Sequence, residues 1–450
     1  MRLTFAASLA VLLSTATGQS TEPFVPVGVW YDAGSLPALA VLRDLQSIRA
    51  LGFNHLRVPV VWKTAEKARG TYELGSLDRL LSLADQTELK VIVQAAMSPP
   101  AWLEAHPVDE RVVTTFLDVL SARAPAHRSF HAVEPDVSPF RVSVHPRPAS
   151  DPPWTPVQLT WHLDVIRSAA GDRGWRLTEL QAGPARTVSG ADLRFWGWAA
   201  LARGARSITY DAWSAASAAS FSRPGLLDDD GAISERARAA GAFAGVVSRN
   251  AALFAPLRPR PSRAAILDHP AAETPQNEAE ALARRAARDF YSRAFDRNIQ
   301  TDIIRADDVL AGRASNYKAL LVGAPDLLPT AVTDILLRYE RQGGTVIRDP
   351  HVSLGDVAVL QPEVRIEGGD GLVEARFLES ADALVLIALN HGDRASEVQF
   401  TFTADTPEAI WQNMESGASV SFVRSARGLT HRHAFAARDA LVLMIRKRLR

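Results

Sequence analysis

From Val27 onward, short apolar runs of strand character alternate with longer segments whose apolar residues recur every three or four positions. The runs Val27–Tyr31, Asn54–Val60, Lys90–Ala96, Ser129–Val133, Phe140–His145, Trp175–Thr178 and Arg206–Trp213 predict seven strands. Pro37–Ala50, Leu77–Ala84, Asp109–Ala122, Pro156–Ala170 and Leu193–Gly204 predict the helices between them, with Gly52 and Gly204 as stop signals. Such alternation predicts a parallel sheet covered by helices, closed as a barrel or open as a doubly wound sheet. No glycine-rich phosphate-binding pattern follows any of these strands, which weighs against a nucleotide site. Strand and helix alternate again from Ser262 to about Asp349, and from about Val357 strands such as Ala383–Leu389 and Val398–Phe402 take over.

The start of the chain reads differently. Arg2, the apolar run Leu3–Leu13 and the small residues Ala16-Thr-Gly18 have the order of an export signal, so residues 1–18 are expected to be removed and the protein secreted or periplasmic. That run is too short to span a bilayer and no later segment approaches 18 apolar residues, so no membrane span is expected. A chain of 450 residues, 47% of them hydrophobic, has core enough for two or three domains. Fifty basic residues balance fifty acidic ones, leaving no net field to draw nucleic acid. The absence of cysteine excludes disulfides, thiolate metal sites and cysteine nucleophiles. No metal or cofactor is expected.

Candidate chemistry centres on Trp175-Arg-Leu-Thr-Glu179-Leu-Gln-Ala-Gly183-Pro184. The Gly-Pro turn stops the strand and leaves Glu179 at its C-terminal mouth, where catalytic groups of α/β barrels sit. The competing reading is an ordinary exposed strand-end carboxylate. Nine of the ten tryptophans precede residue 214, and Trp30, Trp62, Trp102 and Trp213 fall at strand ends or in the turns that follow. Flat indole faces there suit the apolar faces of sugar rings. Trp196 and Trp198, inside a helix, read instead as core.

Several segments resemble family 42 β-galactosidases. Asn54–Glu66 with Gly70-Thr-Tyr72 is similar to that family's second-strand signature, and Pro99-Pro-Ala-Trp102-Leu to its third-strand turn. Trp175–Pro184, Arg194–Trp213 and Gly225–Gly231 resemble its nucleophile, eighth-strand and post-barrel segments. The resemblance implies a (β/α)8-type barrel over residues 19–255, an amidotransferase-like α/β domain over 256–355 of the kind that mediates trimerisation, and a small β-sandwich over 356–450. It also implies a retaining glycosidase acting on β-galactoside-like oligosaccharides. Glu179 would be the nucleophile and Glu134 the acid/base, with Arg57, Trp62, Trp102, His145 and Trp213 binding substrate. The family usually has Asn before the acid/base, where this chain has Val133. Glu104 and Glu110 are rivals for that role. Spacing departs from the family as well: at roughly 31 residues per βα unit, strands four and seven should lie about 90 residues apart. Glu134 and Glu179 are separated by 45. A βα unit is therefore reduced or lost, so that either the barrel is degenerate or the acid/base is not Glu134. The alternative function is a glycan-binding relative of the same fold without catalysis.

Overall fold

A computed structural model describes residues 22–103, 109–136, 141–147, 152–214, 224–269, 277–349, 351–402 and 410–447. The proposed signal segment, Glu104 and Phe140 lie outside the described residues. The chain divides into two compact units. The first comprises Met1–Pro152, Trp175–Gly197 and Ala205–Pro256, and the second Pro153–Gly174, Trp198–Gly204 and Leu257–Arg450.

The first unit is built on seven parallel strands: β1 (Val27–Trp30), β2 (His55–Val61), β3 (Lys90–Ala96), β4 (Phe130–Pro135), β5 (Arg141–Val144), β6 (Trp175–Gln181) and β7 (Ala205–Asp211). Their hydrogen-bonded order is β4-β3-β2-β1-β7-β6-β5, the curved half of a barrel with β4 and β5 as its edges. Successive parallel strands of one sheet are normally joined by a crossover of about a dozen residues or more. Only five residues separate β4 from β5, so no crossover helix fits there. Seven strands, not the eight of a complete (β/α)8 barrel, are present among the described residues.

Helices α1 (Ala38–Leu51), α2 (Trp62–Ala65), α3 (Gly75–Thr87) and α4 (Glu110–Ser121) follow β1, β2 and β3. In α1, Val41, Leu45 and Ile48 are buried on one face, at the spacing that brings side chains onto a common stripe. Gly52 closes that helix in the left-handed region at φ 110°. Asp109 caps α4 by accepting from the Arg111 backbone N–H at 3.0 Å.

Helix α5 (Pro156–Ala170) starts with a capping box between Thr155 and Gln158. The sequence pattern suggests a barrel helix, but α5 packs inside the second unit. Its Trp161 shares a core with Ala264, Ile266 and Tyr291. Helix α6 (Gly190–Ala202) buries Trp196 and Trp198, as their place inside a helix predicts. Helix α7 (Glu235–Arg249) completes this part of the chain.

In the second unit, after the short β8 (Arg258–Pro259), strands β9 (Ala264–Leu267), β10 (Thr301–Ile304), β11 (Ala319–Val322) and β12 (Thr345–Ile347) form a parallel sheet of order β10-β9-β11-β12. The remaining strands form two antiparallel sheets of four and six strands, the latter taking in β8. Phe377 of one sheet meets Phe400 and Phe402 of the other in a shared apolar core with Trp411.

Candidate active site

Parallel strands deliver their C-terminal ends to one rim, and the candidate residues gather there. Glu134 is the penultimate residue of β4, Glu179 lies in the last half of β6 and Asp211 ends β7. Two residues beyond Asp211 comes Trp213, and His145 directly follows β5. The strand expected over Trp175–Thr178 continues to Gln181, because Gln181 still pairs with Asp211 across the β6–β7 ladder. Glu179 is thus inside the strand, not just past it.

A local irregularity aims this residue. Between Leu177 and Leu180, β6 carries one residue more than β7 does between Ile208 and Tyr210. On the other side, Val142 and Ser143 of β5 pair with Leu177 and Glu179, skipping Thr178. Both neighbours therefore see the same bulge at Thr178–Glu179. A bulge of one residue reverses the in/out alternation beyond it and re-aims a side chain, as commonly occurs beside active sites.

Ser143, the register partner of Glu179, donates its hydroxyl to Glu179 Oε2 at 2.6 Å. Oxygens of Glu179 and Asp211 and a ring nitrogen of His145 lie within 4.8 Å of one another. These three groups could hold a divalent cation, and they can equally exchange protons. Asp211 is buried, at 3% exposure, while Glu179 and His145 are half-buried. Gln181 anchors the loop after β5, accepting from the Arg147 backbone N–H at 2.8 Å and donating to the Gly183 carbonyl at 2.9 Å.

Glu134 has a different setting. Arg57 Nη1 donates to its Oε2 at 2.6 Å, and Arg176 Nε lies 3.2 Å from its Oε1. Arg57 is itself buried and also donates to Gln94 at 3.0 Å. Register explains the grouping, since Gln94 pairs with Glu134 and Arg57 lies two residues before Pro59, the partner of Gln94. A carboxylate with a guanidinium at each oxygen is arranged as an anion in an ion-pair cluster, the strong charge-assisted form of hydrogen bond. Nearby histidines add little charge: burial, then Arg57, pushes His55 down to about 3, and burial also lowers His131.

The aromatic candidates are distributed unevenly. Trp62 is 1% exposed, stacks on Phe116 at 5.2 Å with a 9° interplanar angle, and donates to Glu66 at 2.7 Å. Glu66 also accepts from the Gly70 N–H at 2.7 Å, so this tryptophan and glutamate tie down the loop after β2. Trp213 is likewise 1% exposed, and Leu227 N–H donates to its carbonyl at 3.1 Å as the following segment folds back over it. Trp102 is half-buried, donates to the Glu66 carbonyl at 3.3 Å, and has the Arg69 guanidinium 5.6 Å from its ring. The structure thus brings Glu179 and His145 together and joins Arg57 to Glu134, but places Trp62 and Trp213 in the core. Glu110, the described rival, starts α4 and is exposed.

Sequence reasoning missed Ser143, Arg176 and Asp211. Asp211 had one legible signal, its place at the end of a strand two residues before Trp213. Ser143 and Arg176 had none, because their roles depend on which strands the fold brings together.

The half-barrel with carboxylates at its C-terminal rim has the fold of barrel-type glycoside hydrolases. More narrowly, residues 31–116 match the glycoside hydrolase family 42 profile, described as Beta-galactosidase. The fold resembles that of Gan42B, a GH42 beta-galactosidase from G. stearothermophilus, at a TM-score of 0.73 and 12% identity over 97% of this chain and 100% of that one. The cold-adapted beta-galactosidase from Rahnella sp. R3 gives 0.69 and 11% over 97% and 100%. The beta-galactosidase from Bacillus circulans sp. alkalophilus gives 0.68 and 11% over 96% and 100%. No curated protein matches the chain by sequence.

Proposed function

We propose that this chain is a glycoside hydrolase cleaving β-galactoside-like oligosaccharides with retention of configuration, Glu179 being the nucleophile. The observation that supports it best is the setting of Glu179. It stands on a bulged strand at the C-terminal rim, with Ser143 fixing one oxygen and His145 and Asp211 beside it. In this reading the carboxylate attacks the anomeric carbon through an oxocarbenium-like transition state and forms a glycosyl-enzyme, which water then hydrolyses. Positioning by Ser143 lowers the cost of bringing the attacking oxygen into line. Export directed by residues 1–18 and self-association through residues 256–355 belong to the same reading, the first resting on the residue pattern of that segment and the second on the family resemblance.

Turnover of aryl β-galactosides by the purified chain is the direct test. Glu179→Gln should cut that turnover by at least about a thousandfold with folding intact, because a neutral amide cannot form the glycosyl-enzyme. Wild-type-like rates in that variant would remove Glu179 from the reaction.

A second reading, a glycan-binding protein without turnover, is favoured by one observation: Arg57 and Arg176 occupy both oxygens of Glu134, the expected proton donor. It calls for calorimetric binding of galactosides with no product formed.

A further inference from the structure

The second unit contains an open groove of about 610 Å³, a volume usual for small-molecule sites. Its walls come from the end of α8 (Glu278–Phe295), the turn at Gly355 and the strand β13 (Val364–Gly368). We propose that this groove binds an anionic saccharide, one carrying a carboxylate or a sulfate ester, through Arg293, Arg297 and Arg365. Such binding does not depend on the glycosidase reading above.

Charge is the first observation. No ion pair joins any of these three arginines among the described residues. Arg293 donates to the Val352 carbonyl, and its Nη1 is buried with no acceptor. Arg365 Nη2 donates to Gln361 Oε1 at 2.8 Å. Both acceptors are neutral, so both charges stay uncompensated. Arg297 follows α8 by two residues, and its guanidinium takes the space that a side chain at Gly355 would fill. A Cβ built there would lie 2.3 Å from Arg297 Nη1. The glycine thus lets this guanidinium lie against the backbone of the groove wall. Two acids line the same groove, but Glu367 is already paired with Arg427 at 3.5 Å. Asp296, which is exposed, is left as the one carboxylate facing three arginines. That surplus attracts an anion.

The shape of the site narrows the class. Guanidinium forks hold oxyanions through paired hydrogen bonds, which an inorganic ion could satisfy alone. The groove offers more than forks. Ile299, Pro362 and Ile366 form an apolar wall, and Gln361 sets an amide beside Arg365. A sugar ring with an acidic substituent matches both parts, its C–H face on the apolar wall and its acid on the arginines.

Calorimetric titration of the full chain with galacturonate, galactose 6-sulfate, galactose and inorganic sulfate, at low and high salt, tests this. At least one acidic sugar should bind, and more weakly as salt rises. The tighter of the two tells whether a carboxylate or a sulfate ester is recognised. Arg297→Gln and Arg365→Gln should each weaken that binding by about tenfold or more, the loss expected for a charge-assisted hydrogen bond. Gly355→Ala should weaken it without removing a charge, by displacing the Arg297 guanidinium. Arg297 and Arg365 are exposed, so their variants should keep the wild-type melting temperature and any turnover of aryl β-galactosides. If Gly355→Ala fails to fold, the two arginine variants decide. Inorganic sulfate bound as tightly as the acidic sugars would overturn the saccharide assignment. Binding undiminished in both arginine variants, or no binding of either acidic sugar at about 10 mM, would overturn the site. Absence of galactoside turnover with this binding intact would overturn the glycosidase reading alone.

Discussion

Trp213 shows how a side chain's role depends on what surrounds it. Its position after β7 suits a sugar platform, yet the indole is 1% exposed and the chain from Leu226 to Leu227 hydrogen-bonds back onto Ala212 and Trp213. Removing a buried tryptophan deletes its transfer free energy and leaves a cavity, typically about 3–5 kcal/mol for Trp→Ala. Trp213→Ala is therefore expected to lower the urea midpoint substantially. An unchanged midpoint with weakened galactoside binding would return Trp213 to the ligand. Arg57 differs: it is buried but polar, and its value lies in pairing with Glu134 and Gln94. Truncating one partner of a buried ion pair strands the other, which is why such pairs are costly to break one residue at a time.

Among the elements, α1 and α7 meet through glycines. Gly52 has φ 110°, and a Cβ added there would lie 2.7 Å from the Gly241 carbonyl oxygen. A Cβ on Gly241 would in turn lie 2.6 Å from the Leu51 carbonyl oxygen. Both contacts are with backbone, which cannot swing aside. Gly52→Ala combines left-handed strain with overpacking and is expected to cost about 2–3 kcal/mol. Chemical denaturation would check this, and a loss below about 0.5 kcal/mol would show that the helices re-space easily. The bulge in β6 belongs to the same scale. It changes the facing of Glu179 without changing any residue type.

At the scale of whole units, the second unit holds a buried ionic network. Asp164 is paired with Arg376 at 2.6 Å and Arg167 at 2.9 Å, and accepts from the Tyr291 hydroxyl at 2.6 Å. Glu374 pairs with Arg203 at 2.8 Å and with His391 at 2.8 Å. Burial opposes ionisation of both carboxyls, but the guanidinium groups of Arg203 and Arg376 win and hold both well below the carboxylate range. For His391 burial wins, and its imidazole is lowered from 6.5 despite Glu374. The signs agree. A histidine held neutral in the fold gains a proton on unfolding once the pH drops below about 6.5, and a depressed carboxyl gains one below about 4.5. Stability is therefore expected to be flat above pH 6.5, to decline below it, and to fall more steeply below 4.5. Melting temperatures across that range would show it, and His391→Gln should weaken the first decline. A midpoint that rises between pH 6.5 and 5 would contradict the network's role.

What the sequence determined by itself was what depends on neighbours along the chain. The apolar periods placed Lys90–Ala96 as a strand to the residue, α1 and α4 to within a residue at each end, and Glu179 near a strand's C-terminal end. The 45-residue interval from Glu134 to Glu179 already pointed to a reduced or lost βα unit or a misplaced acid/base, because a crossover consumes a minimum length of chain. Tertiary structure decided what depends on neighbours across space. Curvature of the sheet set Arg176 of β6 against Glu134 of β4, strands that are not neighbours in the order, and register laid Ser143 beside Glu179. Burial removed Trp62 and Trp213 from the surface, and α5 went to the second unit, where Trp161 and Asp164 find their partners. Periodicity shows which face of an element is apolar. It carries no information about which other element covers that face, and both the arginine clamp on Glu134 and the closeness of Asp211 to Glu179 are consequences of that covering.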